Sequence, residues 1–274
     1  MKGTVAFVKM HGAGNDFIMV NDLDRRLDLP RELIASLCAF HTGVGSDGLI
    51  VIRPSERAQF KMIYYNRDGG EADMCGNGAR CAALFAYESD MVDTSMVFET
   101  GAGLVEAEIR ENGVGIKTGD VHGLKLGLRV GGTDVHFAVS GVPHAVILTG
   151  DAKGYPRDDF MLLARSVRWD PTFGPDGTNV NLVSVIREDT IAFRTYERGV
   201  EDETLSCGTG ALASSVVTAH LELSGTSVIC ETSGGDILEV TFDKVDDGAR
   251  NCSLTGPVVV TFRGSFRIDD YVLK

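Results

Sequence analysis

The chain has 274 residues, of which 43% are hydrophobic, so it is long enough for two domains and can form a packed core. Its net charge of −13 repels phosphate backbones, which makes nucleic acid a poor partner. No apolar run approaches the ~18 residues that a spanning helix needs, and the first residues lack the apolar stretch of a signal peptide. We therefore expect a cytoplasmic protein with no membrane partner and with its six cysteines reduced.

The predicted elements are mostly strands, because apolar and polar residues alternate along much of the chain. Three helices are predicted, and two of them directly follow a Cys-Gly-x-Gly segment. The apolar run VVVTF predicts a more fully buried strand. In chain order the segments are a helix over 30–40, a helix over 79–89, a strand over 104–109, a loop over 170–176, a helix over 211–223, and strands over 237–242 and 258–262. The expected class is α+β, with strand content dominating.

The chain repeats itself. Met74-Cys75-Gly76-Asn77-Gly78-Ala79 returns as Ser206-Cys207-Gly208-Thr209-Gly210-Ala211, an offset of 207 − 75 = 132. The same offset carries Glu99-Thr100 onto Glu231-Thr232. A shared offset across separate segments indicates an internal duplication, which predicts two similar lobes with a boundary near Gly119.

Each repeated cysteine precedes a predicted helix. Free backbone N–H groups and the positive end of the helix dipole lie there, a setting that binds anions and lowers the pKa of a thiol. Cys75 and Cys207 could each hold a substrate carboxylate and supply a base, one on each face of a carbon. The other four cysteines lack this context and are interpreted as core thiols: Cys38, Cys81, Cys230 and Cys252. No CxxC or HxxxH pair indicates a metal site.

Three further signals are ambiguous. Residues 43–48 match G-x-G-x-x-G, but they follow a helix and precede a strand, the reverse of a dinucleotide-binding loop. His144 taken alone is more typical of a hydrogen-bonded structural residue. Glu197 and Arg198 fit either a surface ion pair or a substrate clamp, with Arg on a carboxylate and Glu on an ammonium.

A set of ordered motifs resembles the diaminopimelate epimerase family over almost the whole chain. The motifs are His11-Gly12-x-Gly14-Asn15-Asp16-Phe17, Gly43-x-Gly45-x-Asp47, Tyr65-Asn66-x-Asp68-Gly69, Cys75-Gly76-Asn77-Gly78-Ala79-Arg80-Cys81, Pro143-His144, Asn179-Val180-Asn181, Glu197-Arg198-Gly199 and Glu203-Thr204-x-x-Cys207-Gly208-Thr209-Gly210-Ala211. The first and last are specific to that enzyme, whereas the Cys-Gly-x-Gly pair also fits the proline racemase relatives.

The resemblance implies two pseudo-symmetric α/β lobes, each a mixed, mostly antiparallel sheet wrapped around a central helix. Residues 1–118 with 264–274 would form one lobe and 119–263 the other. It also implies a cofactor-independent isomerase of LL- and meso-diaminopimelate, in lysine and peptidoglycan precursor biosynthesis. The expected ligand is a small amino acid, with no metal, and a homodimer stays open.

The resemblance also assigns roles to residues. Cys75 and Cys207 would be the base and acid. Substrate binding would fall to Asn15, Asn66, Gly76, Asn77, Asn179, Glu197, Arg198, Gly208 and Thr209, and His144 and Glu197 would support the cysteines. Two positions depart from the family pattern. Many members have Asn where this chain has Val142, which would remove one substrate contact, and Gly48 replaces a Gln found in some.

Other readings remain open at this point. One is a racemase of another amino acid, such as histidine or a broad range, on the same scaffold. A second is a cysteine hydrolase with one Cys as nucleophile and His144 as base, which leaves the duplication unexplained. A third is a non-catalytic amino-acid-binding protein.

Overall fold

The structure, a computed structural model, describes residues 3–272. Residues 1, 2, 273 and 274, which the predicted lobe ranges include, lie outside the described part. None of the helices within 3–272 combines the length and apolar character needed to cross a membrane.

Strands dominate the described chain, as the sequence predicts. The strands are β1 (Thr4–Gly12), β2 (Asn15–Asn21), β3 (Gly48–Arg53), β4 (Lys61–Asn66), β5 (Glu71–Ala72), β6 (Ser95–Thr100), β7 (Gly103–Arg110), β8 (Gly113–Lys117), β9 (Val121–Val130), β10 (Thr133–Ser140), β11 (Val142–Leu148), β12 (Asn179–Arg187), β13 (Thr190–Glu197), β14 (Asp202–Thr204), β15 (Ser227–Glu231), β16 (Ile237–Val245), β17 (Gly248–Gly256) and β18 (Val258–Arg267). The helices are α1 (Arg31–Cys38), α2 (Gly76–Glu88), α3 (Arg157–Arg168), α4 (Gly208–His220) and α5 (Asp269–Val272), and a 3₁₀ turn, Pro171–Phe173, lies in the predicted loop.

Two compact units divide the chain. Unit 1 contains the chain up to Ile116 and again from Pro257 onward, and unit 2 contains Lys117–Gly256. In unit 1, β18, β1 and β2 pair antiparallel, β2 and β3 parallel, β3 and β4 antiparallel, β4 and β6 parallel, and β6, β7 and β8 antiparallel.

Unit 2 repeats this order of pairings. Strands β9, β10 and β11 pair antiparallel, β11 and β12 parallel, β12 and β13 antiparallel, β13 and β15 parallel, and β15, β16 and β17 antiparallel. The short strands β5 and β14 occupy equivalent places beside β4 and β13. The predicted α+β class and the internal duplication are therefore confirmed at the level of topology.

One helix in each unit is enclosed by the sheet. Every residue of α4 from Gly210 to Ala219 is buried, which is typical of a helix surrounded on all sides. It contacts strands β9 to β13 and β15 to β17. Helix α2 is buried over 78–83 and contacts strands β1 to β4, β7 and β18. Each unit is thus a mixed sheet wrapped around a central helix, as predicted.

A second helix covers the other face of each sheet. In unit 1, Leu33, Ile34 and Leu37 of α1 pack into a core with strands β2 and β3. In unit 2, α3 packs in the same way against β11 and β12, through Phe160 and Ala164. Helix α3 was not predicted, although its place between β11 and β12 repeats that of α1 between β2 and β3.

Two predictions are wrong in detail. Helices α2 and α4 begin directly after the cysteines, three residues before the predicted starts. The cysteine side chains cap the helices, and this capping outweighs the poor helix propensity of Gly and Asn. The strand predicted to be buried, β18, is largely exposed, with Val259 and Phe262 each 45% exposed. An apolar run does not reveal how many faces of a strand are covered, and β18 shows inner and outer positions in alternation near its start.

Candidate active site

Cys75 caps the N-terminus of α2 in unit 1. Its backbone is extended, with φ −144° and ψ 118°, and its Sγ accepts a hydrogen bond from the backbone N–H of Gly78 at 3.5 Å. The first N–H groups of a helix have no acceptor within the helix, so those of Gly76 and Asn77 can donate to a bound anion. The predicted donors of this half therefore lie in the first turn of the helix that the thiol caps.

Asn15, which the resemblance assigns to substrate binding, lies beside Cys75. The Sγ of Cys75 is 3.6 Å from Asn15 Oδ1, and Asn77 Nδ2 donates to the same oxygen at 3.4 Å. Asn15 Nδ2 donates to Asp47 Oδ2 at 2.9 Å. Because a carboxylate only accepts hydrogen bonds, this contact orients the amide with its oxygen toward the thiol.

A charged network holds Asn15 in this orientation. Asp47 pairs with the guanidinium of Arg67, and its backbone N–H donates to Asp16 Oδ1 at 2.8 Å. Asp16 in turn pairs with the buried Lys9 ammonium at 2.5 Å. The sequence motifs include Asp47 and Asp16, but no positioning role was predicted for either.

Asn77 and Asn66 differ in how they are held. The buried Arg80 donates from Nη2 to Asn77 Oδ1 at 2.8 Å, which turns the NH₂ group of Asn77 toward Asn15. Asn66 ends β4 with an exposed side chain whose Oδ1 accepts from Tyr64 Oη at 2.8 Å. The substrate contact assigned to Asn66 stays a prediction.

Cys207 repeats the arrangement in unit 2, at the start of α4. Its φ and ψ are −130° and 107°, and its Sγ accepts from the N–H of Gly210 at 3.4 Å. The hydroxyl of Thr209 lies 3.4 Å from the same sulfur. Gly208 and Thr209 supply the first N–H groups of the helix. Cys207 is buried, whereas Cys75 is half-buried.

Three adjacent strands of unit 2 bring polar side chains together. His144 on β11 pairs in register with Asn179 on β12, and Nδ2 of Asn179 is 3.4 Å from Nε2 of the imidazole. Asn181, two residues along the same face, places its Nδ2 3.1 Å from Nδ1 of His144. Its Oδ1 accepts from Thr195 Oγ1 on β13 at 2.8 Å. The structure thus brings His144 and Asn179 together.

Glu197 and Arg198 lie at the end of β13 and are both half-buried, which argues against a surface ion pair. The backbone N–H of Arg198 donates to Asn179 Oδ1 at 2.6 Å. Burial raises the pKa of the Glu197 carboxyl. A carboxylate in this position is well suited to attract an ammonium group.

The pKa prediction for Cys207 is wrong. Burial, followed by the negative charge of Glu197, raises the pKa of this thiol from its ordinary 9.0 to about 12. The hydrogen bonds from Thr209 and Gly210 act in the expected direction, but loss of hydration outweighs them. Cys207 is therefore a thiol at neutral pH, which is the form that donates a proton.

His144 is fully buried, and its pKa is lowered to about 3 by burial and by the positive charge of Arg198. An imidazole with so low a pKa is neutral at physiological pH and is too weak a base to accept a proton. This argues against a hydrolase in which His144 activates a cysteine nucleophile. Among residues 3–272, no cluster of three or more His, Cys, Asp or Glu side chains is placed to hold a metal.

Comparison with known proteins decides the family. The model of the family described as diaminopimelate epimerase matches residues 7–123 and 137–261. The diaminopimelate epimerase of Aquifex aeolicus is 40% identical, covering 98% of this chain and 99% of that protein. That of Archaeoglobus fulgidus is 36% identical, covering 97% and 98%. This chain belongs to the diaminopimelate epimerase family.

Solved structures with low sequence identity share the fold of this family member. A Bacillus anthracis phenazine biosynthesis protein of the PhzF family matches with a TM-score of 0.73 and 15% identity, over 96% of this chain and 99% of that one. A hydroxyproline epimerase from Agrobacterium vitis matches with a TM-score of 0.67 and 17% identity, over 97% and 93%. These similarities concern the fold alone.

In this diaminopimelate epimerase family member, several residues that position the expected site were given no such role by the sequence. In unit 1, Asp47 and Arg80 hold the two amides directly, and Lys9 pairs with Asp16 in the same network. In unit 2, Asn181 contacts the imidazole, and Thr195 holds Asn181. One signal was present for Asn181. It is two residues from Asn179 on a predicted strand, so both amides had to share a face.

Proposed function

We propose that this protein interconverts LL- and meso-2,6-diaminopimelate by removing the proton of an α-carbon and returning it on the opposite face. The family match, which covers both halves of the chain, is the observation that carries this proposal. Relatives named diaminopimelate epimerase match over nearly their full length as well.

The reaction would use two thiols. Cys75 and Cys207 each cap the N-terminus of the enclosed helix of their own unit, which supports an equivalent role for both. We infer that one thiolate removes the α-proton while the other thiol donates from the opposite side. The raised pKa of Cys207 suits the donor role. The base role in that direction then falls to Cys75, and the roles exchange in the reverse direction.

The negative charge that develops beside the α-carbon needs stabilisation, since the reaction is proposed to proceed without pyridoxal phosphate. The N–H groups of Gly76, Asn77, Gly208 and Thr209 lie at helix N-termini, where backbone donors and the helix dipole favour an anion. We place the substrate carboxylate of the reacting centre there. Asn15, Asn66, Asn179, Glu197 and Arg198 are proposed to bind the remaining polar groups, with the distal amino acid held by Asn66, Asn179 and Arg198.

The setting follows from the substrate. Diaminopimelate supplies lysine and the peptidoglycan crosslink, so the proposal places the protein in the cytoplasm among the enzymes of those precursors. Its partner is then a small amino acid, and neither nucleic acid nor a membrane has a part in the reaction.

Deuterium exchange tests the proposal directly. The purified protein is incubated with meso-diaminopimelate in D₂O, and α-deuterium is followed by mass spectrometry while the stereoisomers are separated. We expect the LL isomer to appear with deuterium at its inverted α-carbon. The Cys75→Ala/Cys207→Ala double variant is the control and should show neither change.

The same assay distinguishes the competing functions. Equal turnover of histidine, lysine or alanine would contradict the substrate assignment and favour a broader racemase. Saturable binding of diaminopimelate without exchange would contradict catalysis and favour a binding protein. Turnover of diaminopimelate with rejection of the shorter amino acids would agree with a site built for two amino-acid ends.

A further inference from the structure

The first turns of the enclosed helices α2 and α4 contact different side chains in the two units. In unit 2, the strand side chains that pack together near the start of α4 are His144, Asn181 and Thr195, all buried. A Cβ added at Gly210 would lie 2.5 Å from Asn181 Oδ1 and 3.0 Å from Thr195 Oγ1, so these groups contact the turn that donates to Cys207.

The equivalent positions of unit 1 carry no such polar group in the same arrangement. Asn181 pairs with Thr195 in register as Ile50 pairs with Tyr64, at a common offset of 181 − 50 = 195 − 64 = 131. A Cβ added at Gly78 would meet Ile50 Cδ1 at 2.8 Å. The duplication therefore accounts for the backbone of unit 2 but not for its buried amide, which calls for a separate explanation.

The orientation of the Asn181 amide is fixed by its neighbours. Its Nδ2 donates to the backbone carbonyl of Ala145 at 3.0 Å, and a carbonyl only accepts. Its Oδ1 accepts from the hydroxyl of Thr195 at 2.8 Å. The second hydrogen of Nδ2 is then directed at Nδ1 of His144, 3.1 Å away.

This orientation determines where the imidazole carries its proton. A ring nitrogen that faces an N–H donor at 3.1 Å must be the unprotonated one, so Nδ1 accepts and Nε2 bears the hydrogen. The amide of Asn179 is fixed as well, because its Oδ1 accepts from the N–H of Arg198. Its NH₂ group faces Nε2 at the longer distance of 3.4 Å, so this contact disfavours the Nε2–H tautomer less than the shorter Asn181 contact favours it.

We propose that Asn181 is a positioning residue that holds His144 as the neutral Nε2–H tautomer, with Nδ1 accepting the hydrogen bond of the Asn181 amide. The tautomer assignment is independent of the reaction, whereas its importance for turnover rests on the proposed function. The low pKa of His144 agrees with this arrangement, and Arg198 is the charged group whose field acts on the ring. A cationic imidazole would direct an N–H at an N–H on both sides.

Nitrogen-15 NMR on the full-length protein tests the tautomer without substrate. The His144 ring signals are assigned by comparison with His144→Gln, and two-bond ¹H–¹⁵N spectra are recorded from pH 5 to 8. We expect Nδ1 to have the chemical shift of an unprotonated nitrogen and Nε2 that of a protonated one, with no titration. A protonated Nδ1, or a titration within this range, would overturn the proposal even if the protein proves to be an epimerase.

Two variants separate a positioning role from a packing role. Asn181→Asp keeps the shape but replaces the NH₂ donor with an acceptor, so we expect Nδ1 of His144 to become protonated. Thr195→Val disturbs the same cluster and leaves the donor in place, so the wild-type tautomer should persist. Identical ring spectra for the two variants would contradict the role of Asn181.

Steady-state kinetics of the same two variants tests whether the tautomer held by Asn181 matters for turnover. We expect Asn181→Asp to lower kcat for diaminopimelate at least tenfold with KM changed less than threefold, and to introduce a pH dependence of kcat that Thr195→Val lacks. An Asn181→Asp variant that shows the altered tautomer but full activity would refute the link to turnover and leave the proposed function standing. If the wild-type protein does not turn over diaminopimelate, this result contradicts the proposed function and leaves the tautomer assignment standing.

Discussion

The backbone N–H of Gly210 points at the sulfur of Cys207 from 3.4 Å, and the N–H of Gly78 approaches Cys75 from 3.5 Å in the same way. Each thiol is the N-cap of the helix that it precedes, at the first residue of a Cys-Gly-x-Gly segment. The two caps have similar backbone conformations, but the side chains that contact Gly78 differ from those that contact Gly210.

Replacement of the two glycines by alanine should therefore have unequal effects. At Gly210 the new methyl group would lie 2.5 Å from Asn181 Oδ1, an atom held by a hydrogen bond, so the backbone or the polar cluster must shift. We expect Gly210→Ala to lower the free energy of unfolding by about 1–3 kcal/mol.

Gly78→Ala is the matched variant. Its methyl group would meet the terminal carbons of Ile50 and Met62, at 2.8 and 3.3 Å, and such side-chain ends can move. We expect a change within about 1 kcal/mol, since alanine also favours the helix by a comparable amount. Urea unfolding followed by circular dichroism measures both, and a larger loss for Gly78→Ala would contradict the packing described.

Alkylation of Cys207 should be slow and strongly pH-dependent. A pKa of about 12 instead of 9.0 reduces the thiolate fraction near neutral pH by about 10³. With no substrate present, the rate of iodoacetamide labelling should rise about tenfold per pH unit up to at least pH 10. Peptide mapping by mass spectrometry measures it.

The unfolded protein supplies the reference for that experiment. In urea the same cysteine should react at the rate of an ordinary thiol and level off near its usual pKa. A folded-state rate that levels off below pH 9 would mean that the helix N-terminus outweighs burial after all.

Glu197→Gln should stabilise the protein at neutral pH. Burial raises the pKa of this carboxyl above its ordinary 4.5, so the folded state resists ionisation that the unfolded chain undergoes freely. Below pH 4.5 the side chain is neutral in both states and the two proteins should be equally stable. As the pH rises through the folded pKa, the wild type loses stability that the glutamine variant keeps.

Urea denaturation at pH 4 and pH 7 measures this difference, because contributions of other groups cancel between the two proteins. The variant should have the higher midpoint at pH 7 and a smaller or no advantage at pH 4. An advantage that grows as the pH falls would show that Glu197 is stabilised as a carboxylate.

The sequence predicted the elements that the duplication repeats most clearly. The enclosed helices and the two thiol caps follow from matching Cys-Gly-x-Gly segments, since local capping chemistry determines where each helix begins. Helix α3 was not predicted, because the segments that share the offset of 132 do not extend to it. The pairing order shows that α1 has a counterpart between β11 and β12, which the duplication alone could have indicated.

Features that depend on tertiary surroundings could not be predicted. The exposure of Val259 depends on whether another layer covers β18, and a run of valines is compatible with either outcome. The pKa of Cys207 was predicted in the wrong direction, since the helix end is visible in the sequence but burial and the charge of Glu197 are not. The Asn181–His144 contact joins residues 37 apart, so it depends on strand register.

Val142→Asn should restore a polar group at the start of β11. Val142 begins β11 as Asn15 begins β2, each directly after a glycine with positive φ, Gly141 or Gly14. Asn15 lies 3.6 Å from Cys75 and is a proposed substrate contact. We expect the variant to lower KM for diaminopimelate by up to about tenfold with kcat little changed, as for one added hydrogen bond. Steady-state kinetics measures both constants, and Val142→Ala, which adds no polar group, should not lower KM.

Replacement of either capping cysteine should abolish epimerisation. Serine has a hydroxyl too weakly acidic to ionise near neutral pH, so Cys75→Ser and Cys207→Ser should each lose about 10²–10⁴-fold in rate. Cys230→Ser is the control, since this buried thiol contacts Ser215 at 3.2 Å in the core beside α4 and should retain most activity. The interconversion of the separated stereoisomers measures all three.

The two serine variants should nevertheless differ from each other. In each variant the remaining cysteine, once ionised, can still remove the proton on its own face, and elimination of halide from a β-halogenated substrate analogue needs this abstraction but no proton return. Each variant should therefore eliminate halide from only one stereoisomer of the analogue, with opposite preferences for Cys75→Ser and Cys207→Ser. Halide release from the separated stereoisomers measures the preference. If both variants favour the same stereoisomer, a single base serves both faces and the equivalence suggested by the two helix caps does not extend to the chemistry.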